Sequence, residues 1–450
     1  MGGSRGRVDL GVMAFIGALI FLGYLAGALS VVSKTPPSKF IGDAYKAGTA
    51  LYASFFTYRD RFATDLWNKA RRTERGVTVL EADEVQEGFT LYTSGDAAAA
   101  RLIDLSGEVV HEWRRPYSTV WERGSAVRKP VPDDHVYFRK AMLLPEGDLL
   151  ALYEGVGDTP YGYGLARLDV NSELIWKNLD NFHHDFDLAP DGRIVGLTHS
   201  FRREPVKHAD QFDPPLLEDF LAVVDAEGRT LKKISLLDAI NESPFRSLLW
   251  RVAYYSMEDP LHANAVDYLD RQRAEWLRQR VPVAREGQVL VSFRELAGGS
   301  IALVDVDQGQ VVWASRGPWL AQHDPDILDG GLIQVFDNRG NLGALTKSRI
   351  LVVDPATMGI VWSYTGDEEK PLDSPIRASQ QKLANGNTLI TESSGGRLLE
   401  VTRDGRIVWE YVNPVRGGDG DAMIPVVSWA QRVPGDALPP SLLNRIAGTR

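Results

Sequence analysis

The sequence predicts an all-β protein, a six-bladed β-propeller preceded by an N-terminal transmembrane helix and a short helical stalk. Three observations predict this fold class: an uncharged apolar stretch near the N-terminus, a strand–turn–strand unit that recurs six times, and a second hairpin ahead of each of the last five units. We expect four parts. They are an anchor or signal (residues 1–35), a juxtamembrane stalk (36–80), the propeller (81–415) and a C-terminal tail that packs on the propeller (416–450).

The apolar stretch is LGVMAFIGALIFLGYLAGALSVV, residues 10–32, and it carries no charge. As a helix rising about 1.5 Å per residue, it is long enough to cross a hydrocarbon layer of roughly 30 Å. Arg5 and Arg7 precede it, which favours a cytoplasmic N-terminus and an exported body. Because the stretch exceeds a usual signal-peptide core, we favour an uncleaved anchor over a removed signal. We therefore expect a single-pass protein of the inner (cytoplasmic) membrane, with its propeller on the periplasmic or extracytoplasmic side.

The predicted stalk has apolar and aromatic residues at three- and four-residue spacing, which is typical of a helix. These residues include Leu51, Phe55, Phe56, Phe62 and Leu66. Such a helix either packs on the globular body or self-associates, so a homo-oligomer formed through the stalk is possible.

The recurring unit is an apolar strand, an Asp, a turn and a second strand that often ends in Trp. The equivalent turn positions are Asp104, Asp169, Asp225, Asp305, Asp354 and Thr402. With the additional hairpin, each unit supplies about four short strands at a period of roughly 40 to 50 residues, which is typical of a propeller blade. We expect the Asp to cap the turn, the Trp to pack between blades, and the hairpin at 88–94 to complete the ring with the last strands. A β-sandwich fits this repeat poorly.

Composition limits the possible functions. The 450 residues are 44% hydrophobic and 24% charged, as in folded globular proteins. The net charge of −10 offers no basic footprint for nucleic acid. Cysteine is absent, which excludes disulfides, thiolate nucleophiles and zinc–thiolate sites.

Several blades place a His or Arg at one point, eight or nine residues before the turn glycine that follows the innermost strand. These residues are Arg139, His184, His323 and Arg377, with His262 in the fourth unit, where an insertion intervenes. Since innermost strands line the channel, these groups converge, and they repel one another unless an anion lies among them. The sequence therefore predicts an anion site on the propeller axis. His183 points away by strand alternation, although a bulge could bring both neighbours inward.

Other readings of the histidines remain open. Three histidines can hold zinc, but Arg139, Arg294 and Arg377 nearby make a dication less favourable than an anion. His111, His135 and His199 lack the common position, and we interpret them as ordinary hydrogen-bonded residues.

Six short motifs occur in order along this repeat. They are HHD at 183–185, LHANAV at 261–266, VSFR at 291–294, QHD at 322–324, FDN at 336–338 and SR at 348–349. With these motifs, the chain from about Gly88 to Pro414 resembles the arylsulfotransferase family, the aryl-sulfate-dependent sulfotransferases that use no nucleotide sulfate donor. Better-known periplasmic members carry a disulfide and a cleaved signal, whereas this chain has no cysteine and an apparent anchor.

The resemblance implies an exported propeller that moves a sulfuryl group from an aryl sulfate to a phenolic or other hydroxyl acceptor through a sulfohistidine. By position, His323 resembles the nucleophile, and His262 and Arg294 the residues that hold the sulfuryl and phenolic oxygens. The further substrate-binding candidates are His183, His184, Arg139, Asn264, Asn338, Arg349 and Arg377.

The implied chemistry is physically reasonable for these residues. A neutral imidazole, with an ordinary pKa of about 6.5, is a competent nucleophile, and fixed cations stabilise the charge that builds on the leaving phenolate. Because one nucleophile serves donor and acceptor in turn, we expect ping-pong kinetics and no cofactor.

Two other functions remain open. A quinoprotein-like propeller shares the turn-plus-Trp repeat, although six units and ionisable channel residues count against it. A non-catalytic propeller could act as a binding or assembly module at the cell envelope, since a fold does not define a function.

Overall fold

The computed structural model describes residues 10–33, 60–339 and 347–448, together with the single residues 35, 38 and 40. The chain divides into two compact units, residues 1–60 and 61–450. In the first unit, helix α1 (Leu10–Val32) contains a stretch, Leu10–Ser30, that is long and apolar enough to cross a membrane. A membrane anchor and a signal sequence both have this form.

The second unit is a six-bladed propeller whose blades are antiparallel sheets. Strands β1 (Trp67–Lys69) and β2 (Gly76–Leu80) precede the first blade. Blade 1 contains β3 (Phe89–Ser94), β4 (Ala99–Ile103), β5 (Val109–Arg114) and, innermost, β27 (Val427–Val433). Blade 2 contains β6 (Val136–Leu143), β7 (Leu149–Gly155), β8 (Gly162–Leu168) and β9 (Leu174–Asn178). Blade 3 contains β10 (Phe182–Leu188), β11 (Ile194–Arg202), β12 (Leu216–Val224) and β13 (Thr230–Ser235).

The remaining blades follow the same order, from the channel outward. Blade 4 contains β14 (Ala263–Tyr268), β15 (Gln288–Phe293), β16 (Ser300–Asp305) and β17 (Gln310–Arg316). Blade 5 contains β18 (His323–Ile327), β19 (Ile333–Asp337), β20 (Arg349–Asp354) and β21 (Gly359–Tyr364). Blade 6 contains β22 (Ser379–Lys382), β23 (Thr388–Glu392), β24 (Arg397–Val401) and β25 (Ile407–Val412). Short helices α2 (Leu236–Asn241) and α3 (Arg271–Arg278) interrupt the blades, β26 (Met423–Pro425) pairs with β1, and α4 (Pro440–Gly448) follows β27.

Both ends of the second unit close the ring. The last strand, β27, pairs with β3 as the innermost strand of blade 1, so the prediction that 88–94 completes the ring with the last strands is confirmed. At the outer edge, β2 pairs with β25 and gives blade 6 a fifth strand. The predicted propeller boundaries of 81 and 415 are therefore too narrow, because strands from both ends supply the edge pairing that a closed ring needs.

The predicted helical stalk, residues 36–80, extends too far along the chain at its C-terminal end. Residues 61–80 form a short 3₁₀ turn (Arg61–Ala63) and strands β1 and β2 instead of a helix. Leu66 is fully buried in a cluster with Trp67, Tyr137 and Val426, so its apolar character reflects packing on the propeller. Leu51, Phe55 and Phe56 lie outside the described residues.

The repeated Asp and Trp are scaffold residues, as predicted. Asp169 shows the turn cap, since its Oδ1 accepts hydrogen bonds from the backbone N–H groups of Asn171 (2.7 Å) and Glu173 (2.8 Å). Trp409 shows the contact between blades, because its Nε1–H donates to the carbonyl of Leu105 at 3.0 Å. Gly228 has a φ of +85° and lies under Trp176 of the preceding blade, where an added Cβ would come within 2.5 Å of the indole.

Buried aspartates join the innermost strands of neighbouring blades. Asp185 Oδ2 accepts from the N–H of Val266 at 2.9 Å, and Asp267 Oδ2 accepts from the N–H of Ile327 at 3.0 Å. Neighbouring innermost strands belong to different sheets, so these carboxylates supply hydrogen bonds that no ladder provides. Burial raises the pKa of Asp267 above its usual value, although Arg273 opposes the shift.

Replacing Asp267 with Asn tests whether the buried charge of Asp267 destabilises the fold as pH rises. A carboxyl whose folded-state pKa is raised destabilises the native state progressively as pH rises from its unfolded value, about 3.9, through the folded value. Asn keeps the acceptor for Ile327 and carries no charge. Between about pH 5 and pH 8, we expect the free energy of unfolding to fall for the wild type and to fall less for the variant. The difference between the two decreases should be ~1 kcal/mol or more. Urea unfolding at both pH values measures this difference, and equal slopes would contradict the account.

Candidate active site

Irregular backbone marks the start of the innermost strands at one end of the channel. The pairing register shifts at Phe138/Lys140, His183/Phe186, Ala263/Ala265 and His323/Asp326. A bulge adds one residue to a strand and redirects its side chains. His184, His262 and Arg377 also have positive φ angles of 56°, 46° and 59°, a conformation that non-glycine residues adopt at a cost. The fold therefore maintains irregular backbone at the positions that lie eight or nine residues before the turn glycines, which the sequence predicted to face the channel.

These positions surround one cavity of about 210 Å³. Six of the predicted residues line it, namely Arg139, His184, His262, Arg294, His323 and Arg377. Other residues in its wall include Asp65, Tyr137, Glu154, Asp158, Tyr161 and Ile376. The walls thus combine imidazole, guanidinium and carboxylate groups in a small space.

His323 is held as a neutral imidazole with a defined tautomer. Its Nδ1 lies 2.8 Å from Asn338 Oδ1. The Asn338 Nδ2 donates to the carbonyls of Ser374 (2.7 Å) and Arg377 (2.8 Å), which fixes the amide with its oxygen toward the histidine. Nδ1 must therefore carry the proton, and Nε2 keeps its lone pair. Burial, followed by the charges of Arg294 and Arg139, lowers the pKa of His323 well below its usual value. This ring therefore has the protonation state that a nucleophilic histidine requires at neutral pH.

His262 is held in the opposite state. Its Nδ1 lies 2.5 Å from Asp259 Oδ2. Burial lowers the pKa of His262, but Asp259 outweighs burial and raises it above its usual value. The raised pKa favours the charged form of His262, in which both ring nitrogens are donors.

Two arginines add positive charge beside His323. The Nη1 of Arg139 donates to the carbonyl of Ser428 at 3.0 Å, and its Nε lies 3.9 Å from Glu154 Oε2. The Nε of Arg294 lies 3.4 Å from Glu295 Oε1 and has no hydrogen-bond partner among the described residues. An anion with several oxygens fits a site that contains these two guanidinium groups.

His184 also lines the cavity, whereas His183 lies behind it. The rings meet through their Nδ1 atoms at 2.8 Å, and the backbone N–H of His184 donates to Glu154 Oε1 at 2.6 Å. Burial, followed by His183 and His262, lowers the pKa of His184 well below its usual value. His183 is fully buried and is not among the residues that line the cavity, so a direct contact of this ring with substrate stays a prediction. The bulge brings only one of the two rings into the cavity.

Three other predicted substrate-binding residues do not line the cavity. Asn338 holds His323, as described above. Asn264 donates to the carbonyl of Gln322 at 2.7 Å and so supports the residue before His323. Arg349 pairs with Asp337 Oδ2 at 2.7 Å and donates to the carbonyl of Pro318 at 2.6 Å. Their motifs predicted that these three residues bind substrate. In the structure they instead bond the residues that surround and support the site.

Among the residues of the site that the sequence reasoning missed, three illustrate why. Asp259 lies in the insertion before His262, where no repeat aligns it. Glu154 is the last residue but one of the second strand of its blade, and Asp337 and Glu392 end the second strands of blades 5 and 6, so the repeat did carry a signal. Tyr161 lines the cavity from a loop, and its hydroxyl has no partner among the described residues. Burial raises the pKa of Tyr161 well above 10, so its phenol stays neutral.

One buried group has ligand types that could hold a metal ion. Ligand atoms of His183, His199 and Asp219 lie within 4.8 Å of one another. However, the two imidazoles are stacked at 4.2 Å with an interplanar angle of 16°, so their in-plane lone pairs cannot meet at one ion. His199 Nε2 also accepts from the N–H of Gly162 at 3.1 Å. This arrangement fits a metal poorly.

Solved structures with similar folds are remote from this chain. A protein of unknown function from Bacteroides caccae is 14% identical, covering 76% of this chain and 99% of that one, with a TM-score of 0.46. The Dos1 propeller is 10% identical, covering 79% and 78%, with a TM-score of 0.39. The WD40 propeller domain of Doa1 is 11% identical, covering 83% and 99%, with a TM-score of 0.40. A search of curated proteins gives no match.

The family comparison is more specific. The model of the arylsulfotransferase (ASST) family matches residues 140–414, more than half of the chain. The matched range begins in blade 2, ends just after blade 6 and includes every histidine that lines the cavity. The chain therefore belongs to the arylsulfotransferase family.

Proposed function

We propose that this protein transfers a sulfuryl group from an aryl sulfate to a phenolic or other hydroxyl acceptor, through a sulfohistidine on His323. One observation carries the proposal. The hydrogen bond from His323 Nδ1 to Asn338 leaves the Nε2 lone pair available in a cavity that also contains His262 and three arginines.

In the first half of the reaction, His323 Nε2 attacks the sulfur of the aryl sulfate. The N–S bond forms as the S–O bond to the aryl group breaks, and the aryl oxygen leaves with the electron pair. His262 and Arg294 stabilise the negative charge on the sulfuryl and leaving oxygens, and burial strengthens these interactions.

In the second half, the acceptor oxygen attacks the same sulfur and the N–S bond breaks, which restores the neutral ring. A cavity of about 210 Å³ is smaller than typical ligand pockets of roughly 300–1,000 Å³. It suits one aryl group at a time, so donor and acceptor enter in turn. The cycle uses no cofactor, because the histidine alone carries the group.

Replacing His323 with Asn tests the nucleophile. With p-nitrophenyl sulfate and a phenol acceptor, we expect the wild type to release nitrophenolate in an acceptor-dependent way. We expect the variant to lose at least about 10³-fold of this rate, as enzymes do when a covalent nucleophile is removed. No release from the wild type with any acceptor would favour a binding or assembly module, and a quinone absorbance band would favour a quinoprotein.

Replacing Asn338 with Ala tests the tautomer. Without this acceptor, Nδ1 no longer has to hold the proton, so the nucleophilic tautomer is populated less. We expect kcat to fall by roughly 10- to 100-fold with little change in KM, the usual scale for removing a partner that orients a functional histidine. Asn413→Ala is the matched control, since Asn413 is equally buried and bonds Ser94 at 2.9 Å away from the cavity. A similar loss of kcat in both variants would mean that Asn338 is only structural.

We also propose that α1 anchors the protein in the inner membrane, with the propeller on the extracytoplasmic side. The apolar character of Leu10–Ser30 supports an anchor, and Arg5 and Arg7 support the orientation. Because the chain has no cysteine, Leu231→Cys provides a single thiol at a side chain that is 59% exposed. We expect a membrane-impermeant maleimide to label it in intact spheroplasts. Labelling only after lysis would reverse the orientation.

A further inference from the structure

Three polar side chains lead from the cavity into the interior of blade 3. His184 faces the cavity, and its Nδ1 lies 2.8 Å from the Nδ1 of His183. The Nε2 of His183 lies 3.3 Å from Asp219 Oδ1. His183 is 0% exposed and Asp219 is 1% exposed. The sulfuryl-transfer scheme above assigns no task to His183 or Asp219.

The fold fixes both ends of this series. At the outer end, the bulge in β10 and the positive φ of His184 turn its ring into the cavity. At the inner end, Asp219 Oδ2 accepts from the N–H of Ala263 at 2.7 Å, so Oδ1 is the oxygen left for His183. Because His183 and Asp219 are almost completely buried, water cannot replace either of them in this series.

The possible proton positions follow from the donors and acceptors. Asp219 Oδ1 lies 3.3 Å from His183 Nε2 without the alignment of a hydrogen bond, and an ionised carboxylate favours the proton of His183 on this nearer nitrogen. If His183 is neutral, its Nδ1 is an acceptor, and the short contact requires His184 to donate from Nδ1. His184 Nε2 is then a bare lone pair at the cavity. If His183 is charged, it donates from Nδ1, and His184 instead carries its proton on Nε2.

Other groups around His183 leave Asp219 as its closest carboxylate. His199 is stacked on the ring at 4.2 Å, and Tyr161 contacts it edge-on at 5.6 Å. His199 accepts at Nε2 from Gly162, so its own proton is on Nδ1. Burial, followed by His183 and His262, lowers the pKa of His199 well below its usual value, so it stays neutral. Asp259 is engaged by His262 at 2.5 Å.

We propose that His184 is the acid–base residue of the sulfuryl transfer, and that His183 and Asp219 are positioning residues that receive and return its proton. This proposal rests on the proposed function. When the acceptor oxygen attacks the sulfohistidine, the S–O bond forms, the S–N bond breaks and the acceptor proton passes to His184 Nε2. The Nδ1 proton of His184 passes to His183 Nδ1, and the positive charge comes to rest on His183 beside Asp219.

The next donor reverses these transfers. His183 returns its Nδ1 proton to His184 Nδ1, and His184 gives its Nε2 proton to the aryl oxygen as the bond to sulfur breaks. Each turnover therefore moves one proton from acceptor to leaving aryl group, without exchange with solvent. The relay also keeps the positive charge off His184. Burial and nearby cations keep the pKa of this ring low.

The relay identifies the class of acceptor. A base is needed only when the hydroxyl is not already ionised, so the site suits weakly acidic hydroxyls such as unsubstituted phenols, whose pKa is near the value of about 10 for tyrosine. An acidic phenol that is ionised at neutral pH needs no relay.

The experiment compares the full-length protein with its Asp219→Asn variant. The Asn oxygen can still accept from Ala263, while its amide donates to His183 Nε2 and so leaves His184 with its proton on Nε2. We expect the burst of nitrophenolate from p-nitrophenyl sulfate without acceptor to be retained, because this leaving group needs little protonation. We expect turnover with phenol to fall about 10²-fold or more, and turnover with pentafluorophenol to stay within about threefold of the wild type.

The controls separate the possible failures. Asp187→Asn is matched, because Asp187 is also a channel carboxylate that accepts a backbone N–H, from Tyr268 at 2.8 Å, and it should leave both acceptors unaffected. An equal loss with both acceptors, or none, would overturn the relay. If Asp219→Asn gives no folded protein, His183→Gln takes its place with the same expected selectivity. Absence of a burst in the wild type would instead refute the proposed function itself.

Discussion

The hydrogen bond between His323 and Asn338 is the contact on which the proposed chemistry depends. It joins β18 of blade 5 to the residue that follows β19, and the amide is itself fixed by the carbonyls of Ser374 and Arg377 from the segment that leads to blade 6. The tautomer of the nucleophile is thus set by groups outside the cavity. A substrate can enter and leave without disturbing them, because the bonds that define Nε2 as the reactive atom are buried behind the ring.

Three histidines of one cavity behave differently because their partners differ. Burial acts on all of them and disfavours the charged form. For His323 and His184, nearby cations act in the same direction, and their pKa values fall well below the usual one. For His262, the carboxylate of Asp259 reverses the outcome. In the proposed reaction, a single residue type therefore supplies a nucleophile, an acid–base group and a cationic donor, and the partners that assign these tasks are the amide of Asn338 for His323, the ring of His183 for His184 and the carboxylate of Asp259 for His262.

Much of this arrangement could be predicted from the sequence, because a propeller repeats its constraints. The period identified six blades, and the common distance to the turn glycine selected His184, His323 and Arg139 for one channel. What the repeat could not show was the direction of each side chain at a bulge, so both His183 and His184 were named as substrate-binding candidates, although only His184 lines the cavity. Asp259 escaped notice because it lies in an insertion, where no other blade provides an aligned position. Ring closure with the last strands was expected, but the positions of β2 and β27 were not, because pairing between distant segments leaves no local pattern.

The most direct measurement of the central claim is the site of covalent sulfuryl attachment. The full-length protein would be mixed with an aryl sulfate without acceptor, digested under conditions that preserve a nitrogen–sulfur bond, and analysed by peptide mass spectrometry. The account predicts one sulfuryl group on the peptide that contains His323, attached at Nε2 and lost when a phenol is added before digestion. A sulfuryl group on His184 or His262, or turnover without any covalent adduct, would contradict it.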